Sequence, residues 1–268
     1  MTRDEAYFCD SPPAQRSFHT RNISFPLKIP STNFGAVCRS YSTHTKPERF
    51  KLTFENILSD ENRNRFLKKC VKSDAIREQQ AKLKKSSAVL VSLCHVNDEL
   101  SLLYTVRSLN LTNHKGEVSF AGGIADEVDG GDPVKTAIRE TWEELNLSPS
   151  TVDVWGVVYQ MQNSKYHTVY GVVGYLGHIN LADIKVNPDE VESVFAIPLR
   201  VLCEPASFGH TQFQKGYGKS QGYSTPLFRN GSDPPVWGLT AIFTHVTLSK
   251  LMPTLYRHQL KFVPKLSL

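Results

Sequence analysis

The chain has 268 residues, 40% of them hydrophobic and 21% charged, with a formal net charge of +5. This is room for one globular, soluble domain with extensions, and no stretch approaches the roughly 18 apolar residues that a membrane span requires. No Lys/Arg run is dense enough to argue for nucleic acid, and Cys9, Cys38, Cys70, Cys94 and Cys203 lack any C-x-x-C pair, which argues against a disulfide framework or zinc and for a reducing compartment.

Residues 1–47 hold Arg3, Arg16, Arg21 and Arg39 among many Ser, Thr and Pro, with no apolar period. That composition is similar to a mitochondrial transit peptide, and Arg39-Ser40-Tyr41-Ser42 fits a matrix-peptidase cut after Tyr41. Asp4, Glu5 and Asp10 run against this reading, which otherwise leaves a disordered tail without an address. The expected location is the mitochondrial matrix, with cytoplasm and peroxisome as alternatives. Residues 48–83 read as a helical, polar extension in which Phe50, Phe54, Ile57 and Leu58 form a small stripe. From Arg63 to Lys85 the chain is rich in Lys, Arg and Gln, which predicts a solvated helix on the edge of a domain spanning 84–262.

Strands begin at Ser86. Ala88 to Cys94 is a compact apolar run, and Glu99 to Val106 is a second one after the turn at Asn97-Asp98. A short strand at Val118 to Phe120 leads into Gly122-Gly123. A helix then starts at Asp132-Pro133, with Asp as N-cap and Pro at the first helical position, and ends where Asn146 can adopt left-handed geometry. Ala137, Ile138, Thr141, Trp142 and Leu145 are its expected buried stripe, with the glutamates opposite. Strands follow at Val152 to Met161 and Thr168 to Ile179, joined by a turn at Asn163-Ser164-Lys165. A short helix after Pro198, a functional loop from Gly209 to Gly222 and a last helix from Leu239 to Leu251 complete the domain.

The chemistry concentrates in Arg139-Glu140-Thr141-Trp142-Glu143-Glu144. On a helix, residues three and four apart are neighbours, so Glu140 projects beside both Glu143 and Glu144. Such a triplet alone is more often a solvated face. A hard divalent cation, Mg²⁺ or Mn²⁺, would relieve the repulsion, and such ions most often work beside phosphates.

Gly122-Gly123 followed by Arg139-Glu140-x-x-Glu143-Glu144 resembles the Nudix box. Leu102 to Ser108 with Leu111, His114, Gly116, Val118 and Phe120 to Gly123, then Asn187 to Val191 with Phe195 and Pro198-Leu199, and Val236 to Ala241, are similar to blocks of the coenzyme A pyrophosphatase branch. The resemblance implies an α/β class, an α/β/α sandwich with a mixed central sheet, and hydrolysis of a small-molecule nucleotide of the coenzyme A class into adenosine 3′,5′-bisphosphate and (acyl-)phosphopantetheine. It implies Mg²⁺ or Mn²⁺ on Glu140 and Glu144. Glu143 either completes that site or accepts a salt bridge from Arg139, and both together are expected. Glu143, Glu144 and Arg139 form the expected catalytic set. Gly122 and Gly123 would let backbone approach phosphates. Arg107 and His114 would contact phosphate or hold the loop between them. The general base is open among Glu143, Glu190 and His167.

Ala121 stands where the branch usually has Pro, and the loop from Ile124 to Asp132 is about one residue longer, with Gly130-Gly131 as the insertion. Asp129 fits the place of a mid-box glutamate when counted from Gly123 but not from Arg139, and Asn146 replaces Gly. Rival readings are a Nudix hydrolase of a reduced dinucleotide or ADP-ribose, and a non-catalytic nucleotide-binding module. Monomer and homodimer stay open.

Overall fold

A computed structural model describes residues 51–80, 85–164, 167–213, 223–231 and 233–260, so the expected transit peptide and its cut after Tyr41 lie outside the described residues. The rest of the fold is arranged around β1 (Lys85–Val96). Its last residues pair antiparallel with β2 (Glu99–Arg107) across a turn in which Asn97 and Asp98 both take left-handed φ, 49° and 62°. Two such residues match the twist of a two-residue hairpin. On its other side β1 runs parallel to β6 (His167–His178). β2 carries β3 (Val118–Ser119) and β7 (Val191–Pro198), while β4 (Gly122–Ile124) pairs with the first half of β1 and β5 (Asp153–Ser164) closes the far edge beside β6. The seven-stranded sheet is therefore mixed, as expected.

Alternation along the strands sends side chains to two helical layers. Ala88, Leu90, Cys94, Leu103 and Val172 pack with Ala137 and Leu145 of α3 (Pro133–Leu145). On the opposite face Tyr104 reaches α5 (Gly238–Leu251), its hydroxyl 3.1 Å from Thr244 Oγ1, and Thr240 Oγ1 donates to Val118 O at 2.9 Å. No described helix is long and apolar enough to cross a membrane.

Two expectations need correction. The polar extension is not one solvated helix but α1 (Asp60–Leu67) and α2 (Ser73–Gln80), broken where the Val71 N–H leaves the helix to donate to Val157 O on β5 at 2.8 Å. Ile57 and Phe66 are fully buried, and Phe66 meets Trp155 edge-on at 5.8 Å. The loop expected at 209–222 begins as strand: β8 (Phe208–Phe213) pairs with β9 (Tyr223–Phe228), and residues 214–222 between them lie outside the described residues, as does Lys165 of the other expected turn. The helix after Pro198 is α4 (Leu199–Leu202).

Candidate active site

The N-terminus of α3 forms as its sequence directs. Asp132 Oδ1 accepts from Val134 N–H at 2.9 Å, Pro133 fills the first helical position, and Asn146 ends the helix at φ 53° with its N–H on Trp142 O at 2.8 Å. The faces differ from expectation. Ala137, Thr141 and Leu145 are buried, but Trp142 is half exposed and Glu144 is only 4% exposed. Helical geometry gives the reason: relative to Thr141, Glu144 is turned by about 60°, whereas Glu140 and Trp142 each lie about 100° away on opposite sides. Glu144 therefore borders the packed stripe, and Trp142 clears it.

Carboxylate oxygens of Glu140, Glu144 and Glu190 lie within 4.8 Å of one another. Glu144 accepts from the Gly122 backbone N–H, while its Oε2 is buried with no hydrogen-bond partner. Burial, with Glu140 and Glu190 adding repulsion, pushes its carboxyl from the ordinary 4.5 up to about 8. Burial also raises Glu140, opposed by Arg139. Three converging acids with an unsatisfied buried oxygen suit a hard divalent cation, which prefers oxygen donors and would remove the repulsion. The residues present thus fit the ion that the box implies.

Glu190 comes from the turn before β7, which is pinned twice. Ser108 bonds it from N–H to Glu190 O and from Oγ to Pro188 O, both at 2.9 Å, and Asn187 N–H donates to Glu144 O at 2.8 Å. The sequence signal was the Asn187-Pro188-Asp189 turn, which delivers Glu190 as a ligand-type oxygen and not only as a candidate base. Glu143 is not in this carboxylate group. Its Oε2 accepts from Arg139 Nη1 at 2.8 Å and its side chain is 41% exposed.

Arg139 links the site to the preceding loop. Its Nε and Nη2 bond both oxygens of Asp129 at 3.0 Å, Nη2 also reaches Ile124 O, and Nη1 lies 2.9 Å from Glu140 Oε1. Asp129 is buried, also accepts from Thr136 Oγ1 at 2.9 Å, and is held at about 2, chiefly by Arg139. Gly130 and Gly131 follow at φ 61° and 76°, the left-handed turn that brings Asp129 under Arg139 despite the longer loop.

Both glycines of the pair are spatially required. At Gly122, φ is 156° and a Cβ would strike Ala88 O and Val89 Cα. At Gly123 a Cβ would strike the Glu140 carboxylate. Arg107 lies close enough for its charge to pull the Glu144 carboxyl down, and its Nε is buried without a partner. His114 stands apart from the carboxylates' contacts: it is exposed, at φ 57°, with Nδ1 2.9 Å from Glu117 Oε2, and so braces its own turn. His167 Nε2 is 2.9 Å from Ser87 Oγ and is likewise outside the carboxylate group.

A cleft of about 740 Å³ between α1, α2 and the start of α3 is lined in part by Leu67, Cys70, Ile76 and Trp155 and includes none of the clustered glutamates. A groove of about 490 Å³ does reach Glu190, running past Glu143 and Trp142.

A model of the NUDIX domain matches residues 84–215. Mitochondrial coenzyme A diphosphatase NUDT8 of Homo sapiens is 42% identical over 65% of this chain and 73% of its own length, and the Mus musculus protein of that name is 41% identical over 68% and 84%. Peroxisomal coenzyme A diphosphatase NUDT7 of Mus musculus is 36% identical over 53% of this chain and 64% of its own. Among solved structures, a MutT/nudix family protein from Enterococcus faecalis aligns with a TM-score of 0.40 at 12% identity, over 70% of this chain and 72% of that one. The chain belongs to the Nudix hydrolases. It is an enzyme of the Nudix pyrophosphatase class, with an α/β/α sandwich fold.

Proposed function

We propose that the protein hydrolyses the diphosphate bond of coenzyme A or its acyl derivatives, giving adenosine 3′,5′-bisphosphate and phosphopantetheine or its acyl form, with Mg²⁺ or Mn²⁺ as cofactor. One observation carries the reading: carboxylates of Glu140, Glu144 and Glu190 converge beside a glycine pair where any side chain would intrude. The substrate class is supported by the relatives whose names describe coenzyme A diphosphatases. The mitochondrial names of the two NUDT8 relatives and the Arg- and Ser-rich start of the chain support import into the matrix, although the NUDT7 relative is named peroxisomal.

A divalent cation held by the three carboxylates would neutralise diphosphate oxygens and acidify water. The chain's own groups supply the rest. Gly122 lets its strand close on β1 and gives its backbone N–H to Glu144, and Gly123 leaves room for the Glu140 carboxylate. Arg107, charged and with a free buried N–H, suits a non-bridging phosphate oxygen. Arg139 holds Glu140 and Glu143 in place, and Glu143, open to solvent on one side, is our choice to accept the proton of the attacking water.

The test is incubation of the full-length protein with coenzyme A and Mg²⁺, with both products identified by mass. ADP-ribose and NADH are run alongside at equal concentration; faster cleavage of either overturns the coenzyme A reading. Residues 1–47 fused to a fluorescent reporter test the import, and a diffuse cytosolic signal refutes it.

A further inference from the structure

Trp142 has no role in the chemistry above, yet it leaves half of a large aromatic side chain in water. Isolated exposed aromatics are unremarkable, but this one lines a groove that ends at the site. Trp142 and Asn146 form the α3 wall, Lys185 and Asn187 the facing wall, and Glu143 and Glu190 lead to the carboxylates. The facing wall is fixed, because the Asn187 N–H is bonded to Glu144 O at 2.8 Å.

We infer that this groove is the nucleoside subsite, with the purine base stacked on the Trp142 indole; the inference rests on the reading of the carboxylates as a diphosphate-cleaving centre. Every base offers a π-face, and stacking on an aromatic side chain corresponds to roughly 5- to 150-fold in affinity. Asn146 offers one acceptor and two donors, the complement of the adenine edge. Lys185, exposed at the groove, is a point charge suited to a phosphate on the adjoining ribose. A flexible pantetheine arm would use neither the ammonium nor the planar face as well. That favours the nucleoside end as the occupant.

Full-length protein is titrated with adenosine 3′,5′-bisphosphate and, separately, with phosphopantetheine, exciting tryptophan beyond the nucleotide absorption. The bisphosphate quenches emission, phosphopantetheine does not, and Trp142→Phe abolishes most of the quench. In turnover, Trp142→Ala raises KM for coenzyme A by about tenfold or more while kcat falls less than about threefold, and Trp142→Phe retains most of the affinity. Lys185→Ala narrows the preference for coenzyme A over its 3′-dephospho form. Quenching by phosphopantetheine instead, or an unchanged KM in Trp142→Ala, overturns the subsite. Should wild-type protein leave coenzyme A intact yet still be quenched through Trp142 by adenosine nucleotides, the subsite stands and the proposed substrate falls.

Discussion

Arg139 and Asp129 are joined by two parallel hydrogen bonds of 3.0 Å, Nε to Oδ1 and Nη2 to Oδ2, which tie the loop before α3 to the helix that carries the glutamates. The geometry is the bidentate fork that makes such pairs strong. Because Asp129 is 2% exposed and Arg139 20%, the pair is well shielded but not sealed.

Asp129→Asn therefore costs about 2 kcal/mol, below the range for a fully buried pair that loses one partner. Urea unfolding reads this. Sign follows from the Asp129 carboxyl, held down from 3.8 to about 2: its contribution is full above pH 3.8 and is lost as pH falls toward 2. The gap between wild type and variant should close over that window; a constant gap would show that the pair is not the source.

Gly122 and Gly123 should separate stability from activity. Ala at Gly122 meets backbone atoms at a φ of 156°, and neither can yield cheaply, so thermal stability falls. Ala at Gly123 meets only the flexible end of Glu140, which can swing away. Gly123→Ala should fold with a melting temperature near wild type and lose most of its turnover. Equal loss of stability in both variants would contradict this assignment of neighbours.

The helix of the site was legible because its signals are local: an Asp-Pro start, an Asn stop and a carboxylate spacing set by the helical period. That spacing marks Glu140, Glu143 and Glu144 together, and the Nudix resemblance singles out Glu140 and Glu144 among them. Glu190 joined them only through the fold, since the turn at 187–190 is brought back by bonds to Ser108 and Glu144. Trp142 was misread because apolar character suggested a core position, while the angle from Thr141 turns it to water. Asp129 was ambiguous from counting, as a loop that includes two left-handed glycines does not preserve linear spacing. Nor did composition reveal that the polar extension buries Leu52, Ile57, Phe66 and Ile76, for a few anchors suffice where backbone bonds add the rest.

That extension should be indispensable. Asn62, 3% exposed, donates from Nδ2 to Ile57 O at 2.9 Å and to Leu251 O at 3.1 Å, joining the extension to the end of α5. Asn62→Ala strands two buried carbonyls and costs about 2 kcal/mol. A chain beginning at residue 84, where the family match starts, exposes the surface that covers Ile57 and Phe66 and should express as aggregate. A soluble, cooperatively melting product would mean that the extension is an accessory.

Glu144 predicts how pH and cation trade places. With its carboxyl at about 8 in the cation-free fold against an ordinary 4.5, the folded state binds the proton more tightly than the unfolded chain. The resulting stability is full below pH 4.5 and is lost as pH rises through about 8. Protein stripped with a chelator should therefore melt progressively lower between those values, and Glu144→Gln, which keeps the shape without the charge, should flatten that slope. A divalent cation must displace the same proton, so Mg²⁺ or Mn²⁺ affinity rises with pH up to about 8, and added cation restores the melting temperature most at the alkaline end. Glu144→Gln also removes a proposed ligand outright, and turnover should drop by at least about a hundredfold, more than the loss of an outer-shell partner. Calorimetry at pH 6 and pH 9 with and without Mn²⁺ decides the matter: a cation response equal at both values, or one that survives Glu144→Gln, would place the ion somewhere other than this carboxylate cluster.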